Sequence, residues 1–84
     1  MNDGEIIDIR SKDKYNIEHI PGAKNITSLL LISNPEHYLD KSKKYYIYCQ
    51  SGNTSKEVVE RLNYMGYNTV NIIGGFNYYK ITNK

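Results

Sequence analysis

The feature that most constrains the fold of this chain is an apolar run that ends at its single cysteine. Residues 45–55 have the sequence YYIYCQSGNTS, in which aromatic and β-branched residues precede Cys49 and a polar, glycine-containing loop follows it. Residues of those apolar types favour a buried strand over residues 45–48. The chain is therefore expected to leave a strand at Cys49 and to turn.

A helix is predicted after the loop, over residues 55–65. Its apolar side chains recur with helical spacing, at Val58, Val59, Leu62 and Met65. Thr54 or Ser55 is the expected N-cap residue, and Gly66 is expected to end the helix. The loop would then lie against the amino end of a helix, where free N–H groups and the helix dipole favour an anion.

Two interpretations of Cys49 follow from this position. Backbone N–H groups around the sulfur would lower the pKa of the thiol and make Cys49 a nucleophile in an anion-binding loop. Alternatively, Cys49 is a small core residue, since free cysteine is among the most buried residue types. The local sequence leaves both interpretations open.

The rest of the chain alternates short strands with helices. Residues 5–10 form a β-branched run that ends in charged residues, and residues 69–73 form a further strand before a glycine pair. Residues 11–15 are expected to be a loop or a single helical turn, and residues 76–81 a short final helix. This alternation predicts an α/β domain with a small, mostly parallel sheet of about four to five strands, flanked by helices.

In parallel sheets of this kind, ligand sites lie at the carboxyl ends of the strands. Asp8 and Arg10 follow one predicted strand, and Cys49 follows another. We therefore expect these three side chains to lie near one another, which favours a functional role for the cysteine.

Composition limits the range of functions. A chain of 84 residues suits one domain over residues 1–84, and a net charge of +2 gives no reason to expect a nucleic acid or a membrane as partner. A lone cysteine and an N-terminus without a signal-peptide pattern predict a cytoplasmic protein. Because His19 and His37 lack metal-ligand spacing with Cys49, we expect no metal site. We also expect a monomer that needs no cofactor.

The order of motifs resembles the rhodanese family of single-domain sulfurtransferases. The segments that carry the resemblance span nearly the whole chain: DIR at residues 8–10, EHIPGAKNI at residues 18–26, CQSGNTS at residues 49–55, MGY at residues 65–67, Val70, and GGF at residues 74–76. The resemblance implies a rhodanese-like fold. It also implies that the helix and strand that usually precede the Asp-x-Arg strand in this family are missing or shortened.

The resemblance implies covalent sulfur transfer through Cys49. The thiolate would take a sulfane sulfur from thiosulfate or a persulfide donor, and the resulting persulfide would pass it to a thiol or cyanide acceptor. The donor and the thiol are expected to be small molecules, although the acceptor could also be a protein. The loop residues that would hold the anion are Gln50, Ser51, Gly52, Asn53, Thr54 and Ser55. Gly52 would let the backbone curl around the sulfur, and the hydroxyls of Thr54 and Ser55 could add hydrogen bonds.

The loop departs from the family pattern in its charge. Many members have arginine or lysine immediately after the cysteine, and arginine is also frequent at the position of Thr54; here the first position is Gln50. The anion would therefore be stabilised almost entirely by backbone N–H groups, and a persulfide or polysulfide donor becomes more plausible than thiosulfate. Arg10 is the nearest candidate anion partner, although Asp8 and Arg10 are expected mainly to brace the loop through hydrogen bonds and an ion pair. His19 is expected to be structural.

Rhodanese-like folds also include phosphatases, which offer a rival function. A cysteine phosphatase needs an arginine six residues after its cysteine to grip phosphate, and this chain has Ser55 there. Phosphatase chemistry is therefore excluded, and arsenate reduction by a similar loop is disfavoured for the same reason. The alternative that remains is a non-catalytic persulfide carrier or a sulfur-sensing interaction module.

Overall fold

Four short strands pair side by side into one sheet. The computed structural model describes residues 2–83 and places the strands in the spatial order β2-β1-β3-β4. All three strand pairs are parallel. The strands are β1 (Glu5–Asp8), β2 (Lys24–Asn25), β3 (Lys44–Tyr48) and β4 (Asn68–Asn71). The predicted α/β fold with a small parallel sheet is confirmed.

Helices connect the strands. They are α1 (Lys12–Ile17), α2 (Ser28–Ser33), α3 (Pro35–Tyr38), α4 (Asn53–Tyr64) and α5 (Gly75–Thr82). The predicted apolar stripe of α4 is buried at Val58, Val59 and Leu62, but Met65, predicted as its fourth member, is the C-cap residue and is exposed. None of the helices within residues 2–83 is long and apolar enough to cross a membrane.

The sheet has an apolar cluster on each face. Successive strand residues point to opposite faces, so neighbouring residues of one strand join different clusters. Ile7 and Ile47 pack in the larger cluster with residues of α4, whereas Ile6 and Tyr48 contact the smaller cluster around Phe76 of α5. The two faces together hold α4 and α5 against the sheet at the end where Cys49 lies.

Strand register brings the polar residues of β1 next to the cysteine. Asp8 is the partner of Tyr48 in the β1–β3 ladder, and the N–H of Ile9 continues the ladder by donating to the carbonyl of Tyr48 at 3.0 Å. The residues that follow both strands therefore leave the sheet side by side, as the sequence predicted. This edge of the sheet is where the candidate site forms.

Several boundaries differ from the prediction, among them that of β1, which ends at Asp8 rather than at residue 10. Residues 12–17 form a helix of six residues, because the Ser11 side chain caps it by accepting a hydrogen bond from the N–H of Lys14. Helix α4 begins at Asn53, with Gly52 as its N-cap in the left-handed conformation, so the prediction of Thr54 or Ser55 as the cap was wrong. Strand β4 ends at Asn71 rather than at residue 73.

The Tyr48 hydroxyl joins three segments beneath the site. It donates to Asp8 Oδ2 at 2.7 Å and accepts from the N–H of Ile20 at 3.1 Å, and the Tyr48 side chain is fully buried. Burial, followed by the hydrogen bond to Asp8, raises the pKa of Tyr48, so the phenol stays protonated and can donate. The turn before β2 is thus tied to both central strands.

We expect Tyr48→Phe to lower the free energy of unfolding by about 1–3 kcal/mol, because it leaves the buried Ile20 N–H without an acceptor. Denaturant melts would measure the loss. The matched control is Tyr64→Phe, which removes the same hydroxyl from a ring that is 94% exposed and should change stability by less than about 0.5 kcal/mol. Equal effects of the two variants would contradict this role of Tyr48.

Candidate active site

Cys49 lies directly after β3, and two backbone N–H groups point at its sulfur. Its side chain is 6% exposed. The N–H of Gly52 lies 3.1 Å from Sγ and the N–H of Ser55 lies 3.3 Å from it, measured from nitrogen to sulfur. Of the loop amides proposed from the sequence, these two make the contact. The cysteine is buried, as the core interpretation required, yet its sulfur accepts hydrogen bonds from two backbone N–H groups, which a core residue would not need.

Gly52 gives the loop its curvature. Its φ of 96° lies in the left-handed region, where side chains are strained. A Cβ atom at this position would also lie 2.8 Å from the amide nitrogen of Gly74, at the start of α5. The close approach of the two segments therefore needs glycine at residue 52 on both conformational and steric grounds.

Helix α5 holds the loop carbonyls away from the sulfur. The N–H of Phe76 donates to the carbonyl of Cys49, and the N–H of Asn77 donates to the carbonyl of Gln50, both at 2.9 Å. These donors belong to the first turn of α5, whose N–H groups have no partners within the helix. On the outer side of the loop, the amino end of α5 thus donates hydrogen bonds to the carbonyls. On the inner side, the N–H groups of Gly52 and Ser55 donate to the sulfur.

Asn71, at the end of β4, connects the two residues that donate to Cys49. Its Oδ1 accepts from the Ser55 hydroxyl at 2.5 Å, and its Nδ2 donates to the carbonyl of Gly52 at 3.3 Å. Asn71 was not predicted from the sequence. The strand predicted over residues 69–73 placed it in the middle of the strand, whereas β4 ends at Asn71, at the edge of the sheet where polar residues often serve a site.

The surroundings of Cys49 lower the pKa of its thiol. Burial raises that pKa, but the Ser55 hydroxyl and the N–H groups of Ser55, Gly52 and Ser51 act in the opposite direction and prevail. The hydroxyl has a single proton, and its geometry directs that proton to Asn71. We therefore attribute the lower pKa chiefly to the backbone N–H groups, which cannot turn away from the sulfur.

Asp8 and Arg10 form a buried ion pair behind the loop. Arg10 Nη2 lies 2.8 Å from Asp8 Oδ2 and 2.6 Å from the carbonyl oxygen of Glu18, and Nε also faces the Asp8 carboxylate. The guanidinium stacks on the Phe76 ring, with Cζ 4.2 Å from the ring centroid. These contacts fix Arg10 between β1, the turn before β2 and α5.

Gln50 links that ion pair to α5. Its Oε1 accepts from Arg10 Nη1 at 3.0 Å, and its Nε2 donates to Asn77 Oδ1 at 2.6 Å. The residue that stands where many family members have a cation therefore bridges two parts of the scaffold. His19 is also held by the scaffold, since its ring stacks on Tyr15 with centroids 3.8 Å apart.

A cavity of about 260 Å³ opens over Cys49. We call it the Cys49 cavity; it is lined by Ile9, Arg10, Ser11, Lys14, Cys49, Gln50, Ser51 and Thr54. Asp8 is fully buried beneath it, and Asn53 faces a different cavity, on the side of the loop near Gly74. The cavity thus brings together part of the predicted site and adds Ser11 and Lys14 from the α1 segment, which were not predicted as site residues.

Known proteins share this sequence pattern. The family model described as "Rhodanese-like domain" matches residues 1–82. The thiosulfate sulfurtransferase GlpE of Coxiella burnetii is 34% identical over 76 residues, which cover 89% of this chain and 70% of that protein. The adenylyltransferase and sulfurtransferase uba4 of Ogataea parapolymorpha is 35% identical over 71 residues, or 83% of this chain, but this chain matches only 18% of the uba4 length.

Solved structures share the fold. The rhodanese-related protein of Thermoplasma volcanium superposes with a TM-score of 0.88 at 26% identity, covering 98% of this chain and 81% of that one. The match extends over both the sheet and the flanking helices, since it includes nearly all residues of the present chain.

We expect Gly75→Ala to destabilise the domain more than Gly22→Ala does. Both glycines have positive φ, so alanine costs about 1–2 kcal/mol at either site. A Cβ at residue 22 meets nothing within 4 Å, whereas a Cβ at residue 75 would fall on the Cys49 carbonyl oxygen and 2.8 Å from the Gly52 nitrogen. Chemical denaturation compares the two losses.

The rate at which iodoacetamide alkylates Cys49 at neutral pH gives a second readout. Folded Gly75→Ala should react more slowly than Gly22→Ala, because displacing the loop removes N–H groups from the thiolate. Equal stability and equal reactivity of the two variants would show that the contact between α5 and the loop does not shape the site.

Proposed function

The chain belongs to the rhodanese-like domain family, and we propose that it is a sulfurtransferase that works through a persulfide on Cys49. The observation that carries the proposal is the pair of backbone N–H groups, from Gly52 and Ser55, that meet the buried sulfur. Such donors stabilise a thiolate and, after sulfur transfer, the anionic outer sulfur of a persulfide. The sulfurtransferase names of the related proteins support the same class of reaction.

In the first half-reaction, the Cys49 thiolate attacks the outer sulfur of a sulfane donor. With thiosulfate, a new S–S bond forms on Cys49, the sulfur–sulfur bond of the donor breaks, and sulfite leaves with the bonding electron pair. With a persulfide donor, the leaving group is a thiolate. No net oxidant is needed in either case, because one sulfur–sulfur bond replaces another.

In the second half-reaction, an acceptor thiolate attacks the outer sulfur of the Cys49 persulfide. The acceptor becomes a persulfide and Cys49 returns to the thiolate; cyanide would leave as thiocyanate instead. Ser51 and Thr54 line the cavity into which the outer sulfur would project. They can donate hydrogen bonds there in addition to those of the backbone.

A persulfide carrier is the second candidate function. It is favoured by the burial of Cys49, which is 6% exposed, because a buried sulfur is less open to small acceptors in solution. A carrier would load Cys49 in the same way but would release sulfur only to an acceptor protein that docks over the cavity. The two candidates differ in turnover with small acceptors, not in the loading step.

We expect the reduced, folded protein to gain about 32 Da, the mass of one sulfur atom, on exposure to thiosulfate or to a polysulfide. Intact mass spectrometry measures the adduct, which should be absent from Cys49→Ser and should disappear on treatment with dithiothreitol. Production of thiocyanate from cyanide would then favour the enzyme, and a stable adduct without turnover would favour the carrier. If neither thiosulfate nor a polysulfide loads sulfur onto the wild-type protein, sulfur chemistry at Cys49 is refuted.

A further inference from the structure

We propose that Lys14 selects anionic sulfur donors by placing a positive charge at the mouth of the Cys49 cavity; this inference rests on the proposed sulfurtransferase function. Lys14 lies on α1, far from the loop in sequence, and lines the cavity together with Cys49. The loop itself, residues 49–55, contains no lysine or arginine. Helix α1 therefore supplies a cation that the loop lacks.

Arg10 is the other cation of the cavity, but its charge is already compensated. Its guanidinium faces the Asp8 carboxylate through Nε and Nη2, and its Nη1 donates to Gln50. The pair is buried, and removing Arg10 from Asp8 to bind a donor would leave a carboxylate unpaired in the interior, which is costly. The net charge that the ion pair presents to an incoming anion is close to zero.

Lys14 has no carboxylate partner. Lys43, Lys44 and Lys80 pair with carboxylates at 2.9–3.6 Å, whereas within residues 2–83 no carboxylate lies within ion-pair distance of Lys12, Lys14, Lys24, Lys41 or Lys56. Of these five lysines, Lys14 is the one that lines the Cys49 cavity. Its side chain is exposed to solvent at the edge of the cavity. The charge is therefore free to act on an anion that approaches Cys49.

The backbone of Lys14 is held in place although its side chain is free. Its N–H donates to the Ser11 hydroxyl at 3.3 Å, and its carbonyl accepts from the N–H of Glu18 at 3.2 Å. The next residue, Tyr15, donates its hydroxyl to the carbonyl of Ala23 at 2.5 Å. These contacts fix the backbone of Lys14 beside the cavity that this residue lines.

Charge on the donor then decides the rate of sulfur loading. A dianion such as thiosulfate gains twice the attraction of a monoanion such as methanethiosulfonate, and both attractions weaken as salt rises. The class of donor that Lys14 favours is therefore a small sulfane compound with an anionic group next to the transferable sulfur. The loop alone, which lacks a cation, favours a persulfide or polysulfide donor. Lys14, from a different element, shifts that preference toward anionic donors such as thiosulfate.

The first test uses alkylation, which does not depend on sulfur transfer. Iodoacetate is anionic and iodoacetamide is neutral, so the ratio of their rates at Cys49 reports the local potential and cancels any change in thiol pKa. We expect Lys14→Gln to lower the rate with iodoacetate, relative to the rate with iodoacetamide, about threefold at low salt. Lys12→Gln is the matched control, since it removes the same charge from the same helix at a residue that faces another cavity; its ratio should stay close to that of wild type.

The second test measures sulfur loading in the same variants. Lys14→Gln should slow loading by thiosulfate by about tenfold and by methanethiosulfonate by about threefold, while Lys14→Arg should restore most of both rates. If wild type loads but the two glutamine variants behave alike in alkylation and in loading, the role of Lys14 is overturned and the proposed function stands. If wild type does not load with any donor, the proposed function itself fails, whatever the alkylation ratio shows.

Discussion

The site depends on the direction in which the peptide groups of one loop point. Hydrogen bonds to the carbonyls of neighbouring peptide groups fix the course of this loop. The amino end of α5 donates to the carbonyls of Cys49 and Gln50 on the outer side of the loop. Asn71 holds the carbonyl of Gly52 in the same way. In the loop held in this way, the N–H groups of Gly52 and Ser55 point at the sulfur. The loop therefore does not have to reorganise when the sulfur becomes an anion.

Charge in this site is divided between two tasks. The buried pair of Asp8 and Arg10 joins β1, the turn before β2, and α5, and Gln50 extends that connection to Asn77. A charge that is neutralised and hydrogen-bonded in this way orients the scaffold and adds little field in the cavity. Lys14, on the exposed helix α1, lines the cavity and is the cation that we assign to donor recognition. Scaffold and recognition therefore rest on different cations.

The fold could be predicted from the sequence because its signals are local. The apolar run before Cys49 and the helical spacing of Val58 and Leu62 fixed a strand and a helix, and alternation of such elements fixed a parallel sheet. What could not be predicted depends on contacts between distant segments. Thr54 and Ser55 are good caps by residue type, yet α4 begins at Asn53 and its N-cap is Gly52, in the left-handed conformation and close to the start of α5. Asn71 and Lys14 lie 22 and 35 residues from Cys49, and only the fold brings them to it.

The most direct test is a titration of the Cys49 thiol by the ultraviolet absorbance of its thiolate. Subtracting the same titration of Cys49→Ser removes the signal of the tyrosines, and Cys49 is the only cysteine of the chain. The N–H groups at the sulfur predict an apparent pKa below the ordinary value for cysteine, about 8.5, despite burial. A value at or above the ordinary one would mean that burial prevails and that the loop does not stabilise an anionic sulfur.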